Sequence, residues 1–426
     1  MAVALRGGRI VDESGERPGD VVIADDGTIG AVGTDLTADV DLDVTGCLVA
    51  PGLVDLHSHL RQPGQEEAET VETGARAAAR GGYTCILAMP NTVPALDSAA
   101  VVREVLELGR SAPCEVRTSG AITVGRAGEQ LAPLGELYDL GVRFFTDDGA
   151  GVADTRLMRR ALEFARGLGP EVVLAQHCED PALAAGGHMH EGEWSSRLGI
   201  PGQPAEAEEL MVVRDLALAR LTGARVHFQH LSTAGSVAMV RAAKARGLPV
   251  SAEATTHHFT LTHAECASFD PVFKVNPPLR TDEDVAAVRA GLADGTLDCI
   301  ATDHAPHTPE SKEAAFDQAP PGMLGLETAL ALALTELDLP LVEVLALLSW
   351  RPARLLGVAD RHGGPVAPGR PANLCVIDPE REWVVDPADT ASRSRNTPYA
   401  GRTLRGRVRH TVLAGELVVV DGEPQR

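Results

Sequence analysis

A strand-like run followed by a helix-like run recurs eight times between residues 53 and 303, and few folds accommodate that alternation. The strand candidates are LVDLHSH (53–59), YTCILAM (83–89), EVRTSGAI (115–122), VRFFTDD (142–148), EVVLAQH (171–177), RVHFQHL (225–231), PVSAEAT (249–255) and LDCIATD (297–303). Helical stretches such as AETVETGARAAARGG, TRLMRRALEFARGLG, AGSVAMVRAAKARG and DEDVAAVRAGLADG stand between them. Strands alternating with helices form parallel sheets. Eight such units imply an α/β fold of the (β/α)8 TIM-barrel type over residues 53–355. The competing architecture is a doubly wound open sheet. No G-x-G-x-x-G follows the first strand, which leaves a dinucleotide fold with little support.

The two ends read differently. VALRGGRIVD, GDVVIADDGTIGAVG and DVTGCLVAPG alternate apolar and polar residues around Gly and Asp turns, and so do GGPVAPGRPANLCVID and VRHTVLAGELVVVDGE near the other end. Either end alone is too small for a robust core. Residues 1–52 together with 356–426 are expected to form one small β-sandwich domain, and 426 residues suit two domains.

Composition narrows the partners. The formal net charge is −22, which argues against nucleic acid and anionic membrane, since both need a basic face. No apolar stretch is long enough to span a bilayer, and the first twenty residues are too polar for a signal peptide. Seven scattered cysteines with no C-x-x-C pair suggest reduced thiols and a cytoplasmic protein.

In a barrel, catalytic groups sit at the C-terminal ends of the strands. The first candidate strand ends in His57 and His59, which point to one face. The fourth ends in Asp147 and Asp148, the fifth in His177, the sixth in His230, and the eighth in Asp303, His304 and His307. Any one of these alone is an ordinary strand-end residue. Four imidazoles and two carboxylates on one rim make a metal site. Nitrogen and oxygen ligands without thiolate suit zinc, with manganese, cobalt or iron also compatible. Six ligands exceed one zinc site, so two ions sharing a carboxylate is the economical arrangement.

The remaining histidines are expected to be structural. His227 lies three residues before His230 and should face away, and His304 should face opposite to Asp303. His257 and His258 end the seventh strand and are assigned to structure, as is Cys178. His188, His190, His263, His362 and His410 fall in loops or terminal regions.

The segments PGLVDLHSHLRQPG, GGYTCILAMPNTVP, FFTDDGAGV, AQHCED, HFQHLST, KVNPPLR and DGTLDCIATDHAPHTPESK resemble the cyclic amidohydrolases, and within them the dihydroorotases of the longer bacterial type. The likeness runs nearly end to end. H-x-H alone would fit any amidohydrolase; ATDHAPH with KVNPPLR and MPNT is the specific combination. The resemblance implies that His57, His59 and Asp303 ligate one metal, that His177 and His230 ligate a second, and that Asp148 bridges them, rather than Asp147. It implies a substrate-binding set of His59, Arg61, Asn91, Asn276 and His307, with the backbone near Pro321 and Gly322 against a pyrimidine ring. Gln62 departs from the family, where glutamate is common. It lies beside Arg61 rather than the metals, so binding strength should change before chemistry does.

Lysine usage separates the relatives. Dihydropyrimidinases, hydantoinases and allantoinases bridge their metals with a carboxylated lysine near the fourth strand. The only lysines here are Lys244, Lys274 and Lys312. An aspartate must bridge instead.

The implied reaction is the reversible closure of N-carbamoyl-L-aspartate to L-dihydroorotate plus water, a step of de novo pyrimidine biosynthesis. The implied cofactors are two divalent ions, zinc first among them, with a bridging hydroxide. Asp303 would be the catalytic acid–base, and Arg61 would pair with the substrate carboxylate. Family members that have lost ligands serve as non-catalytic partners of aspartate carbamoyltransferase; every expected ligand is present here. The resemblance allows a homodimer and an aspartate carbamoyltransferase partner. Alternatives within the superfamily are other cyclic amidohydrolases, deacetylases and deaminases, of which the last two would not need Arg61 with Asn91 and Asn276. Segment 304–322 is either a loop closing over substrate or a surface excursion, and 184–204 is an extended loop near the mouth.

Overall fold

The computed structural model describes residues 1–426. Eight parallel strands lie where the alternation put them: β1 (Leu53–Ser58), β2 (Tyr83–Ala88), β3 (Glu115–Thr118), β4 (Phe144–Phe145), β5 (Val173–Gln176), β6 (Arg225–Phe228), β7 (Val250–Thr255) and β8 (Cys299–Ala301). β3, β4, β5, β6 and β8 are shorter than expected. The residues beyond Thr118 and Phe145 leave the ladder to meet loop and site partners, as when Asp147 turns to residues 122–123.

Parallel ladders join β1 to β2 and β2 to β3, and run continuously from β4 through β5, β6 and β7 to β8. Single bridges pair Gly120 with Phe145 and Ser58 with His304. One apolar cluster takes Val54 and Leu56 from β1, Leu87 from β2, Phe144 from β4, Val173 from β5 and Cys299 from β8. A larger cluster packs strand side chains against the helices.

The helices include α1 (Val71–Arg80), α2 (Ala99–Leu108), α3 (Leu134–Asp139), α4 (Thr155–Leu168), α5 (Glu206–Thr222), α6 (Ala234–Ala245) and α7 (Asp282–Ala293). Their starts are written in the sequence. Thr70, Asp154, Thr233 and Thr281 cap α1, α4, α6 and α7 by accepting from backbone N–H groups of the first turn. Each cap follows a strand exit, so helix starts and strand ends share one rim. Gln62 Oε1 accepts from Val71 N at 3.0 Å, so the family-divergent glutamine serves the start of α1.

The terminal segments build two further sheets. A four-stranded sheet orders Ile29–Gly33, Asp20–Ile23, Val3–Arg6 and Val40–Asp43. A seven-stranded sheet joins both ends of the chain: Leu374–Val384 runs antiparallel to Leu48–Pro51, with Leu374 opposite Pro51 and Val376 opposite Val49. One core draws Leu5, Val21 and Ile23 from the first sheet and Ile10, Val49, Val376 and Val412 from the second. All seven cysteines are buried and unpaired. No helix is long and apolar enough to cross a membrane.

Candidate metal centre

Strand ends deliver the site, and the backbone bends sharply where they do. Arg61, His230 and Asp303 have φ of 62°, 33° and 46°, a region that costs a non-glycine residue roughly 1–2 kcal/mol. Such outliers persist only where surrounding contacts hold them, and here three lie around one cluster.

Asp148 stands at its middle. Its Oδ1 is 3.2 Å from His57 Nε2, 3.5 Å from His230 Nε2 and 3.7 Å from His177 Nδ1, and its Oδ2 is 3.6 Å from His59 Nε2. Asp303 Oδ1 lies 3.0 Å from His59 Nε2 and 3.5 Å from His57 Nε2. The six sequence-predicted residues therefore converge, all of them buried. His57, His59 and Asp303 bring ligand atoms within 4.8 Å of one another, as do His57, Asp148 and His230, and His177 Nδ1 lies 2.9 Å from His230 Nε2. Asp147 is not among them. It accepts from Ile122 N at 2.8 Å and Thr123 N at 3.0 Å, which spends it on the neighbouring loop.

The cluster fits a cation. His57 Nε2 and Asp148 Oδ1 are buried, face each other, and have no hydrogen-bond partner; His230 Nδ1 is also unpartnered. Native interiors rarely leave polar atoms in that condition. Burial pushes the Asp148 and Asp303 carboxyl groups upward, but the surrounding imidazoles more than offset it and hold both below the usual carboxylate range. Both carboxylates are ionised, as ligands must be.

The histidine tautomers are set from behind. His57 Nδ1 is 2.9 Å from Glu253 Oε1, and His59 Nδ1 is 2.8 Å from Asn91 Oδ1. Each acceptor takes the Nδ1 proton and leaves the Nε2 lone pair facing the aspartates, the usual support for a ligating histidine. Asn91, expected at the substrate, thus also holds His59. Glu253 on β7 was not anticipated. Its only sequence signal is a carboxylate in the middle of a strand of otherwise small, uncharged residues. His257, assigned to structure, has Nε2 buried without a partner 4.0 Å from Asp303 Oδ2, so it belongs to the wall of the centre.

A cavity of about 150 Å³ opens beside the cluster, lined by His59, Arg61, Asn91, Asn276, His307, Pro321 and Gly322, with Asp148, His177, His230 and Asp303 at its floor. Every expected substrate-binding residue reaches it. Arg61 is buried; its Nε donates to the Pro306 carbonyl at 3.0 Å. His307 Nε2 donates to the Pro321 carbonyl at 2.8 Å, and burial, reinforced by Arg61 and Lys312, lowers its pKa to about 2, so the ring is neutral. A larger groove of about 910 Å³, lined by Asp154, Arg156 and Arg160, lies away from these imidazoles on the α4 side.

Segment 304–322 packs over this cavity. Asn396, from the far end of the chain, accepts from His307 N at 3.1 Å and donates to the carbonyls of Ala305 and Gly322 at 3.0 and 3.2 Å. Lys312 Nζ donates to the Pro271 and Pro320 carbonyls, and Lys274 Nζ to that of Asp317. Lys244 pairs with Asp298. All three lysines are engaged away from Asp148 and Asp303. His227 bonds Ser251 and Glu253, and His304 bonds Glu69; both stay out of the cluster, as expected. His258 bonds Thr255 and the Pro277 carbonyl, next to Asn276. Segment 184–204 carries a short ladder pairing Met189–His190 with Gly202–Gln203.

Residues 46–236 match a protein-family model described as dihydro-orotase-like. A dihydroorotase of Streptomyces coelicolor is 50% identical over 429 aligned residues, covering 98% of each chain. One of Pelotomaculum thermopropionicum is 49% identical over 99% of each chain. Among solved structures, the L-hydantoinase (dihydropyrimidinase) of Arthrobacter aurescens superposes with a TM-score of 0.88 at 24% identity, covering 100% of this chain and 97% of that one. At that identity the likeness speaks to the fold, which is the α/β TIM-barrel architecture of the amidohydrolases.

Proposed function

Since the chain belongs to the dihydroorotase family, we propose that its six clustered side chains hold two divalent cations for the family's reaction. The enzyme is a metal-dependent cyclic amide hydrolase of pyrimidine biosynthesis, interconverting N-carbamoyl-L-aspartate and L-dihydroorotate. His57, His59 and Asp303 hold one ion, His177 and His230 the other, and Asp148 bridges. Zinc is the proposed metal because the donors are imidazole and carboxylate. The observation that carries this reading is the unpartnered His57 Nε2 and Asp148 Oδ1 facing each other at 3.2 Å inside a buried cluster.

When bound, such ions polarise the ring amide carbonyl and lower the pKa of water from about 16 to about 7. The protein's own groups supply the remainder. Asp303 enters as a carboxylate. Its Oδ1 sits on the ligand side, 3.0 Å from His59 Nε2, which leaves Oδ2 to accept the proton of the attacking water and then return it to the ring nitrogen as the amide opens. Arg61 is cationic and aimed into the cavity, where it pairs with the substrate carboxylate. Asn91, Asn276 and His307 add hydrogen bonds. The Pro321–Gly322 backbone, fixed by Asn396 and His307, lies along the ring.

The supporting frame is read in the same way. The succession of parallel ladders, with bridges at Gly120–Phe145 and Ser58–His304, supports a closed eight-stranded barrel over residues 53–355. The core shared by the two terminal sheets supports a β-sandwich from residues 1–52 and 356–426. Unpaired cysteines are in keeping with a cytoplasmic enzyme. An absorbance assay of dihydroorotate opening, run with and without chelator, tests the reading. Turnover lost to chelator and restored by zinc is expected; turnover indifferent to chelator would refute it.

A further inference from the structure

Two long strands of the seven-stranded sheet, Leu374–Val384 and Thr403–Leu413, pair antiparallel, and the chain between them leaves the sheet. Ser392, Ser394 and Asn396 are buried there, while Arg393 and Arg395 between them are exposed. That alternation is the period of an extended segment, yet the run belongs to no strand. Its polar groups are spent on the barrel instead. Glu327 accepts from Ala391 N at 2.9 Å and from Thr390 Oγ1. Glu69 accepts from Arg393 N at 3.0 Å and from Ser392 Oγ, and the same carboxylate lies 3.3 Å from His304 Nε2. Ser394 Oγ donates to the Ala68 carbonyl at 2.7 Å. The run is a strap tied down residue by residue, and Asn396 is where it reaches the substrate cavity.

Asn396 stands behind the cavity wall. Oδ1 accepts from His307 N, and Nδ2 donates to the carbonyls of Ala305 and Gly322. Its own carbonyl accepts from Leu324 N at 3.1 Å. One side chain thus joins the two ends of segment 304–322, and both ends line the cavity. Those ends are already close: a Cβ on Gly322 would come within 2.7 Å of Ala305 Cβ and 2.9 Å of His307 Nε2. None of the partners of Asn396 is among the six clustered metal-site residues. We propose that Asn396 is a positioning residue for substrate: it fixes the gap between His307 and the Pro321–Gly322 backbone, and so sets affinity for the ring without acting on the metals. This rests on the dihydroorotase reading above. Only a carboxamide matches the three partners, since it offers one acceptor and two N–H donors at one point.

Steady-state kinetics of the zinc-loaded full chain tests the assignment. Asn396→Asp keeps an acceptor for His307 N but sets an acceptor-only oxygen against two carbonyls. KM for L-dihydroorotate is expected to rise about tenfold or more, the scale of buried groups left unpaired, with kcat within about threefold and metal content at the wild-type level. Asn396→Ala is expected to move KM the same way and serves if the added charge prevents folding. Ser394→Ala separates positioning from plain stability. It removes an equally buried bond of the same strap, to a carbonyl outside the cavity wall, so melting temperature should fall while KM stays within about twofold. An unchanged KM in both Asn396 variants, a loss confined to kcat or metal content, or an equal KM rise in Ser394→Ala would each overturn the assignment alone. A wild type that does not open the ring would overturn the functional reading and this assignment with it.

Discussion

Glu253 Oε1 lies 2.9 Å from His57 Nδ1, and its other oxygen lies 3.0 Å from His227 Nε2. One carboxylate thus accepts from two imidazoles, and Ser251 closes the chain at His227 Nδ1, 2.8 Å away. This line sets an acceptor against His57 Nδ1 and turns Nε2 toward Asp148. Glu253→Gln puts an amide N–H2 where an acceptor is required, so one imidazole loses its partner or changes tautomer. Metal affinity, measured by chelator competition, is expected to fall about 10- to 100-fold with the fold intact. Unchanged affinity would show that Glu253 does not set the tautomer.

Asp303→Asn separates binding from proton transfer. The amide can still present an oxygen toward His59, so part of the metal is retained. Turnover is expected to drop at least about 1,000-fold, the scale of a lost general acid–base. Near-normal turnover would rule out the assigned role.

Arg61→Ala tests the carboxylate partner. A buried bidentate pair contributes about 2–3 kcal/mol, so KM for carbamoyl-aspartate should rise by about two orders of magnitude. A substrate lacking that carboxylate should be affected far less. Equal effects on both would count against the pairing.

A pH-dependent contribution to stability lies at the start of β3. Glu115 accepts from His362 Nε2 at 2.8 Å and Arg361 Nη2 at 2.9 Å. Burial raises its pKa, but His362 and Arg361 outweigh burial and bring it down from 4.5 to about 2. A depressed carboxylate stabilises the fold above its unfolded pKa and loses that contribution as pH falls through the folded one. Glu115→Gln should therefore melt below wild type at pH 6, with the gap closing between about pH 4.5 and pH 2. A gap that stays constant across that window would contradict the pairing.

The legible part of this protein was the part with a local period. Strand–helix alternation located all eight strands, and strand exits located His57, His59, Asp148, His177, His230 and Asp303. The partners that orient those residues carry no such mark. Glu253 is 196 residues from His57 and looks like any polar residue in a strand. Asn396 is 89 residues from His307 and sits in a polar stretch of the terminal segment, yet it pins both ends of segment 304–322. The sequence could not distinguish Asp147 from Asp148 by residue type. The family resemblance chose Asp148, and the backbone, which turns Asp147 toward Ile122 and Thr123, gives the physical reason.

In the proposed centre Asp148 joins two cations. Elemental analysis of the purified protein under zinc-replete conditions, alongside Asp148→Ala, measures it most directly. Two equivalents of metal per wild-type chain, falling to one or fewer in the variant with circular dichroism preserved, is the expected result. A wild-type chain that holds one equivalent or none, or a variant that keeps both, would contradict it.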